Sequence, residues 1–218
     1  MTQAQQPFHF ATASYLTCIC NQRAARLVEL QKGLGECSDA SIFYHTFHSL
    51  RRHHFLTEGF SDDFAQWIMA ACNLAELAEQ LAALDLREYA NLLDLRNDIR
   101  SRIGDYCQAF PERAQQKAFE PFYFSEAIEV SLPLDIEAQT LEEFYQVLEK
   151  LSNASFHFHF VTSRLRLHLR SNDFSLWFST GLGLEDLAQR TNRIDIYTNT
   201  LEAARQQLLY LISQEIGP

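Results

Sequence analysis

Serine, histidine, arginine and aspartate occur twice in this chain in the same order, and these are residue types that move protons or hold anions. The first set is Ser41, His45, Ser49 and Arg52, followed by Asp63. The second is Ser155, His159, Ser163 and Arg166, followed by Asp173. On a regular α-helix the first four residues of each set fall at about 0°, 40°, 80° and 20°, a single narrow stripe. A guanidinium fork flanked by hydroxyls suits a phosphate or carboxylate, so the stripe is a candidate pocket for a small anionic ligand. A metal site built from His45, His159, Asp63 and Asp173 is disfavoured, because no H-x-x-x-H or H-E-x-x-H spacing places two ligands on one helix face. No metal and no cofactor are therefore expected.

Catalysis has the right residue types but no specific motif. The chain has no G-x-S-x-G elbow, no Walker glycine loop and no G-x-G-x-x-G, and a triad is defined by geometry, not spacing. No residue is assigned as catalytic. The plainer account is structural: a buried histidine needs a partner for each ring nitrogen, and a buried arginine needs a carboxylate. On that account His45 and Arg52 join Asp63, and His159 and Arg166 join Asp173, as two equivalent buried clusters. Each would tie a second helix to the helix that begins D-F-x-x-W.

The elements that position these residues follow from an internal repeat. At an offset of 114, Pro7-Phe8-His9-Phe10 falls on Pro121-Phe122-Tyr123-Phe124, and 15 of the 48 positions from Pro7 to His54 are identical. Chance would give about three. After a short deletion, Ser61-Asp62-Asp63-Phe64-Ala65-Gln66-Trp67 meets Ser171-Asn172-Asp173-Phe174-Ser175-Leu176-Trp177.

The repeat divides the chain into helical units 1–112 and 113–218, with Pro111 in the link. Within a unit, apolar spacing predicts a helix from Asn21 to about Cys37, with Leu27, Leu30 and Leu34 on one face. Ser38 or Asp39 caps a second helix through His54, and Ser61 or Asp62 caps the one holding Phe64 and Trp67. Leu74–Leu84 and Leu86–Tyr106 complete the unit. The expected fold is all-α: two tandem homologous helical units packed about a pseudo-twofold axis into one compact globule, with at most a short strand where each unit opens on Pro-Phe-x-Phe.

Composition bounds the function. A formal charge of −10 and a pI near 5.2 leave no basic field for a nucleic-acid backbone, and the one basic cluster along the sequence, Arg51 to His54, is short. No basic, apolar leader opens the chain and no apolar run approaches the roughly 18 residues of a membrane span, so neither membrane nor export is expected and the location is read as cytoplasmic. Five cysteines without paired C-x-x-C spacing read as reduced and mostly buried thiols.

The segments Ser41-Ile42-Phe43-Tyr44-His45-Thr46, Asp62-Asp63-Phe64-Ala65-Gln66-Trp67 and Leu77-Ala78-Glu79-Gln80-Leu81, with their echoes at 155–160 and 172–177, resemble an uncharacterised prokaryotic family of unknown function. That resemblance implies no activity, cofactor or catalytic residue. The functional expectation is thus a soluble, non-catalytic interaction or regulatory protein with a protein partner. The alternative is a protein or enzyme that binds a small anionic ligand in the Ser/His/Arg/Asp pocket.

Overall fold

A computed structural model describes residues 3–48, 62–167, 169, 171–195 and 200–217. It corrects the all-α expectation. Two long strands, β1 (Phe8–Arg26) and β2 (Lys117–Ala138), 19 and 22 residues in length, pair in an antiparallel two-stranded sheet. The helix expected from Asn21 instead begins at Leu27.

The reason lies in burial. A half-buried strand announces itself by alternation of apolar and polar residues, but buried side chains on β1 are confined to Phe8, Phe10, Ala13 and Ala24, and on β2 to Ala118, Phe122, Phe124, Ser125 and Ala138. Between them burial still alternates on β1 from Cys18 to Ala24, but residue type does not follow it: Ile19 is 70% exposed while Gln22 is half-buried. A left-handed Asp135 (φ 54°) interrupts β2, and Pro133 lies two residues before it. Both are features that blunt an open strand edge.

The chain forms two compact units. One comprises residues 16–128; the other comprises 1–15 together with 129–218. They are called the N unit and the C unit here. Both strands are divided by this boundary, so Phe8 and Phe10 fall in the C unit and Phe122 and Phe124 in the N unit.

In the N unit, α1 (Leu27–Glu36) buries Leu27, Leu30 and Leu34 as expected from their spacing. α2 (Asp39–Phe43), capped by Ser38, runs directly into a π-helical turn at Tyr44–His48. Next come α3 (Asp63–Ala70), capped by Asp62, then α4 (Ala75–Ala82), α5 (Leu92–Ala109) and the short α6 (Pro111–Ala114). α5 lays Leu95, Ile99 and Ile103 into the core.

The C unit follows the same order. α7 (Leu141–Lys150) starts with a capping box of Thr140 and Glu143. α8 (Asn153–His157) continues into a π-helical turn at Phe158–Thr162 and then α9 (Ser163–Arg166). α10 (Asp173–Thr180), α11 (Glu185–Asn192) and α12 (Leu201–Ile216) close the unit. Among the described residues no helix is long and apolar enough to cross a membrane.

Candidate functional site: two histidine latches

Each π-helical turn carries one of the two retained histidines, and a π turn widens the helix locally, which is a common way to aim a side chain. In the N unit the His45 ring is almost fully buried. Its Nδ1 lies 2.8 Å from Asp63 Oδ2, and its Nε2 lies 2.8 Å from the backbone nitrogen of Ser125 on β2. A backbone N–H can only donate, so Nε2 accepts, and Nδ1 carries the proton that it donates to Asp63. One ring thereby joins the π turn, the start of α3 and β2.

The C unit repeats the arrangement with the same distances. His159 Nδ1 is 2.8 Å from Asp173 Oδ2, and His159 Nε2 accepts from the backbone N–H of Ala11 on β1 at 2.8 Å. Ala11 and Ser125 are 114 positions apart, the offset that relates the histidines. Asp63 and Asp173 sit in the first turns of α3 and α10, where the helix end favours a negative charge.

Aromatic rings enclose each latch. His45 lies against Phe64, Phe122 and Phe124, with ring centroids 5.3, 4.7 and 6.2 Å away. His159 has Phe174, Phe8 and Phe10 at 5.5, 5.0 and 6.1 Å. The tryptophans of D-F-x-x-W add a second tie: Trp67 Nε1 donates to the Glu120 carbonyl at 2.8 Å, and Trp177 Nε1 to the Gln6 carbonyl at 3.0 Å. Each of those carbonyls precedes the proline of Pro-Phe-x-Phe. The retained His, Asp, Phe and Trp therefore clamp a strand onto a helical block.

The serines of the stripe are equally enclosed where they are described. Ser41 is buried beside the thiols of Cys20 and Cys37. Ser155 Oγ accepts from Ser152 Oγ at 3.0 Å. Ser163 Oγ donates to the His159 carbonyl at 2.5 Å and accepts from the Asp173 backbone N–H at 3.2 Å. Ser49 and Arg52 lie outside the described residues, as does the Arg166 side chain at the end of α9, so the structure brings together the His–Asp pairs of the expected clusters and is silent on their arginines. The regular-helix stripe is itself revised, since residues 44–48 and 158–162 follow the wider π spacing.

What sequence reasoning missed was the strand. A backbone donor has no side-chain signature, so Ala11 and Ser125 differ in type while doing the same work. The signal that could have found them was the Pro-Phe-x-Phe motif immediately before each, carried at the same offset as the histidines. The cysteines also differ from expectation. All five are free thiols within the N unit, but Cys37 alone is buried, the other four being half-buried. Burial pushes Cys37 up to about 11 and Cys72 up to about 12, which keeps both as thiols at neutral pH.

Fold and site together define a protein of two helical units, each closed over a strand by a histidine–aspartate pair and a tryptophan. The chain belongs to DUF5752, a family of unknown function whose profile matches residues 5–213. It is similar in structure to OrfY from the archaeon Thermoproteus tenax, with a TM-score of 0.85 and 27% sequence identity over 97% of this chain and 96% of that one. No curated protein matches it.

Proposed function

We propose that this is a non-catalytic interaction protein whose retained polar residues serve the fold and whose exposed strand surface recognises a protein partner. The polar chemistry that first suggested a pocket is spent internally: each histidine has both nitrogens engaged by its own chain, leaving no lone pair for a metal and no base for a substrate proton.

The observation that carries the reading is apolar surface on β2 in the C unit. Val130 and Leu132, alternate residues on one face of the strand, are 54% and 46% exposed, and Ile136 follows at 42%. Exposed apolar side chains grouped on one strand are a feature of interaction sites. Open strand edges add unpaired backbone groups to which a partner strand can pair, while Pro133 and the turn at Asp135 limit indiscriminate pairing.

Replacing Val130, Leu132 and Ile136 together by threonine keeps strand propensity and removes apolar area. Affinity capture from a lysate of the native host is expected to recover a partner with the wild-type chain and to lose it with the triple variant, at unchanged melting temperature. A variant that retains every partner, or a tight metabolite hit with no protein partner for the wild type, would count against the reading.

A further inference from the structure

The end of β1 and the beginning of β2 in the N unit enclose a cavity of about 640 Å³, within the range of small-molecule sites of roughly 300–1,000 Å³. Its charged lining is Arg23, Arg26, Lys117 and Glu29. Three cations therefore face one carboxylate, in a chain whose overall charge is −10.

Glu29 is already committed. Its Oε2 accepts the Ala25 backbone N–H at 2.7 Å, and its Oε1 pairs with Arg26 at 2.7 Å. The backbone hydrogen bond from Ala25, with help from Arg26, holds its carboxyl below the usual carboxylate range. Arg23 and Lys117 form no ion pair with any described residue and are exposed, which leaves both side chains available to an incoming anion.

An aromatic surface stands beside these charges. Phe119 is 88% exposed, yet its backbone is held in place by an N–H donated to the Ala71 carbonyl at 2.8 Å. A phenylalanine so exposed gains nothing from the core and offers a flat face for stacking.

The fold itself does not require this chemistry. At the offset of 114, Arg23, Ala25, Arg26 and Glu29 correspond to Glu137, Gln139, Thr140 and Glu143, while Lys117, Phe119 and Pro121 correspond to Gln3, Gln5 and Pro7. The C unit keeps the glutamate and the proline, with Glu143 again accepting the backbone N–H ahead of the helix at 2.7 Å. It has neither the cations nor the aromatic ring. What the two units share holds the corner together; what only the N unit has matches a ligand.

We propose that this cavity binds a phosphorylated small molecule carrying a flat ring, the chemistry of a nucleoside mono- or diphosphate. Arg23, Arg26 and Lys117 hold the phosphate, the arginines through their planar forks, and Phe119 stacks on the ring. The strongly negative remainder of the protein disfavours a long polyanion and leaves a small ligand as the occupant. The site is independent of the strand surface invoked for partner binding, so either can fail alone.

The test is titration calorimetry of the intact chain with ADP and, separately, with inorganic phosphate at low ionic strength. ADP is expected to bind more tightly than phosphate. Arg23→Gln with Lys117→Gln should weaken both ligands by about 50-fold or more, and Phe119→Ser should weaken ADP by about tenfold while leaving phosphate unchanged. These side chains are exposed, so melting curves should match the wild type; Lys117→Gln alone, with a smaller loss for both ligands, serves if the double variant does not fold. Absence of ADP binding at millimolar concentration, ADP binding no tighter than phosphate, or affinity unchanged in the arginine and lysine variants would each overturn the proposal.

Discussion

The N and C units solve one packing problem with the same parts and differ where the packing does not depend on the difference. Both hold a histidine in a π turn between a helix-start aspartate and a strand N–H, at 2.8 Å on each side. Both tie a tryptophan indole to the carbonyl before Pro-Phe-x-Phe. At the caps they part: Asp62 opens α3 where Asn172 opens α10, and Arg26 precedes α1 where Thr140 caps α7. Shared residues mark what the fold demands. Unshared ones mark where the units are free to acquire separate properties.

The largest effect should come from breaking a latch. His45→Ala or His159→Ala removes the acceptor of a strand N–H and the imidazole partner of a half-buried carboxylate and opens a cavity, at a cost of about 2–4 kcal/mol in either unit. Thermal and denaturant unfolding would measure it. Pairing His45→Ala with Asp63→Ala should cost less than the sum of the separate changes, as expected for groups that satisfy each other. If the loss in one unit greatly exceeded that in the other, the two latches would not be equivalent.

Next is the cap that distinguishes α3 from α10. Burial pushes the Asp62 carboxyl up to about 6 from an ordinary value of 3.8, although its Oδ1 accepts the Ala65 N–H at 2.8 Å. Between those values the folded chain holds a proton that the unfolded chain has released, so this contribution to stability falls as pH rises from about 4 to about 6 and stays lost above that. Asn172 makes the same cap with a neutral amide, accepting the Ser175 N–H at 2.9 Å. Asp62→Asn should therefore stabilise the protein at pH 7 by roughly 1–3 kcal/mol and flatten that part of its pH profile. Asn172→Asp should do the reverse. Melting temperatures across pH 4–8 decide the matter, and identical profiles for wild type and Asp62→Asn would refute it.

Smaller effects sharpen the comparison. Trp67→Phe and Trp177→Phe each remove an indole donor while keeping most of the aromatic bulk, and should cost about 1–2 kcal/mol by leaving the strand carbonyl unpaired. Amide exchange at residues 118–124 and 8–13 would locate the loss in the expected unit. Thr140→Ala should cost about 1 kcal/mol through its cap. Arg26→Ala should cost at most about 0.5–1 kcal/mol, since Arg26 makes no side-chain cap and its pair with Glu29 is partly exposed to solvent.

Much was legible from residue types alone. Side-chain identities shared at a constant offset singled out each histidine with its aspartate and pointed to Phe64, Trp67, Phe174 and Trp177 as core residues, all four of which are buried. The apolar face of α1 was visible in its spacing, because a helix packed on one side must repeat its buried residues every three or four positions, whereas α5 begins at Leu92 and not at the expected Leu86. His45 and His159 lie 2.8 Å from Asp63 and Asp173, while the arginines expected beside them fall outside the described residues.

Only the tertiary structure decided the rest. β1 and β2 escaped notice because residue type does not follow burial along them: Leu16, Ile19 and Phe119 are exposed while Gln22 and Glu126 are half-buried. The third member of each latch is a backbone N–H, which any residue but proline supplies, so no side chain recorded it. The grouping of Phe8 and Phe10 with helices more than 130 residues later, and of Phe122 and Phe124 with helices some 60–80 residues earlier, depends on where long strands carry their ends. The cluster of Arg23, Arg26 and Lys117 was hidden for the same reason: charges more than 90 positions apart become one local field only when β1 and β2 pair and bring them to a single cavity.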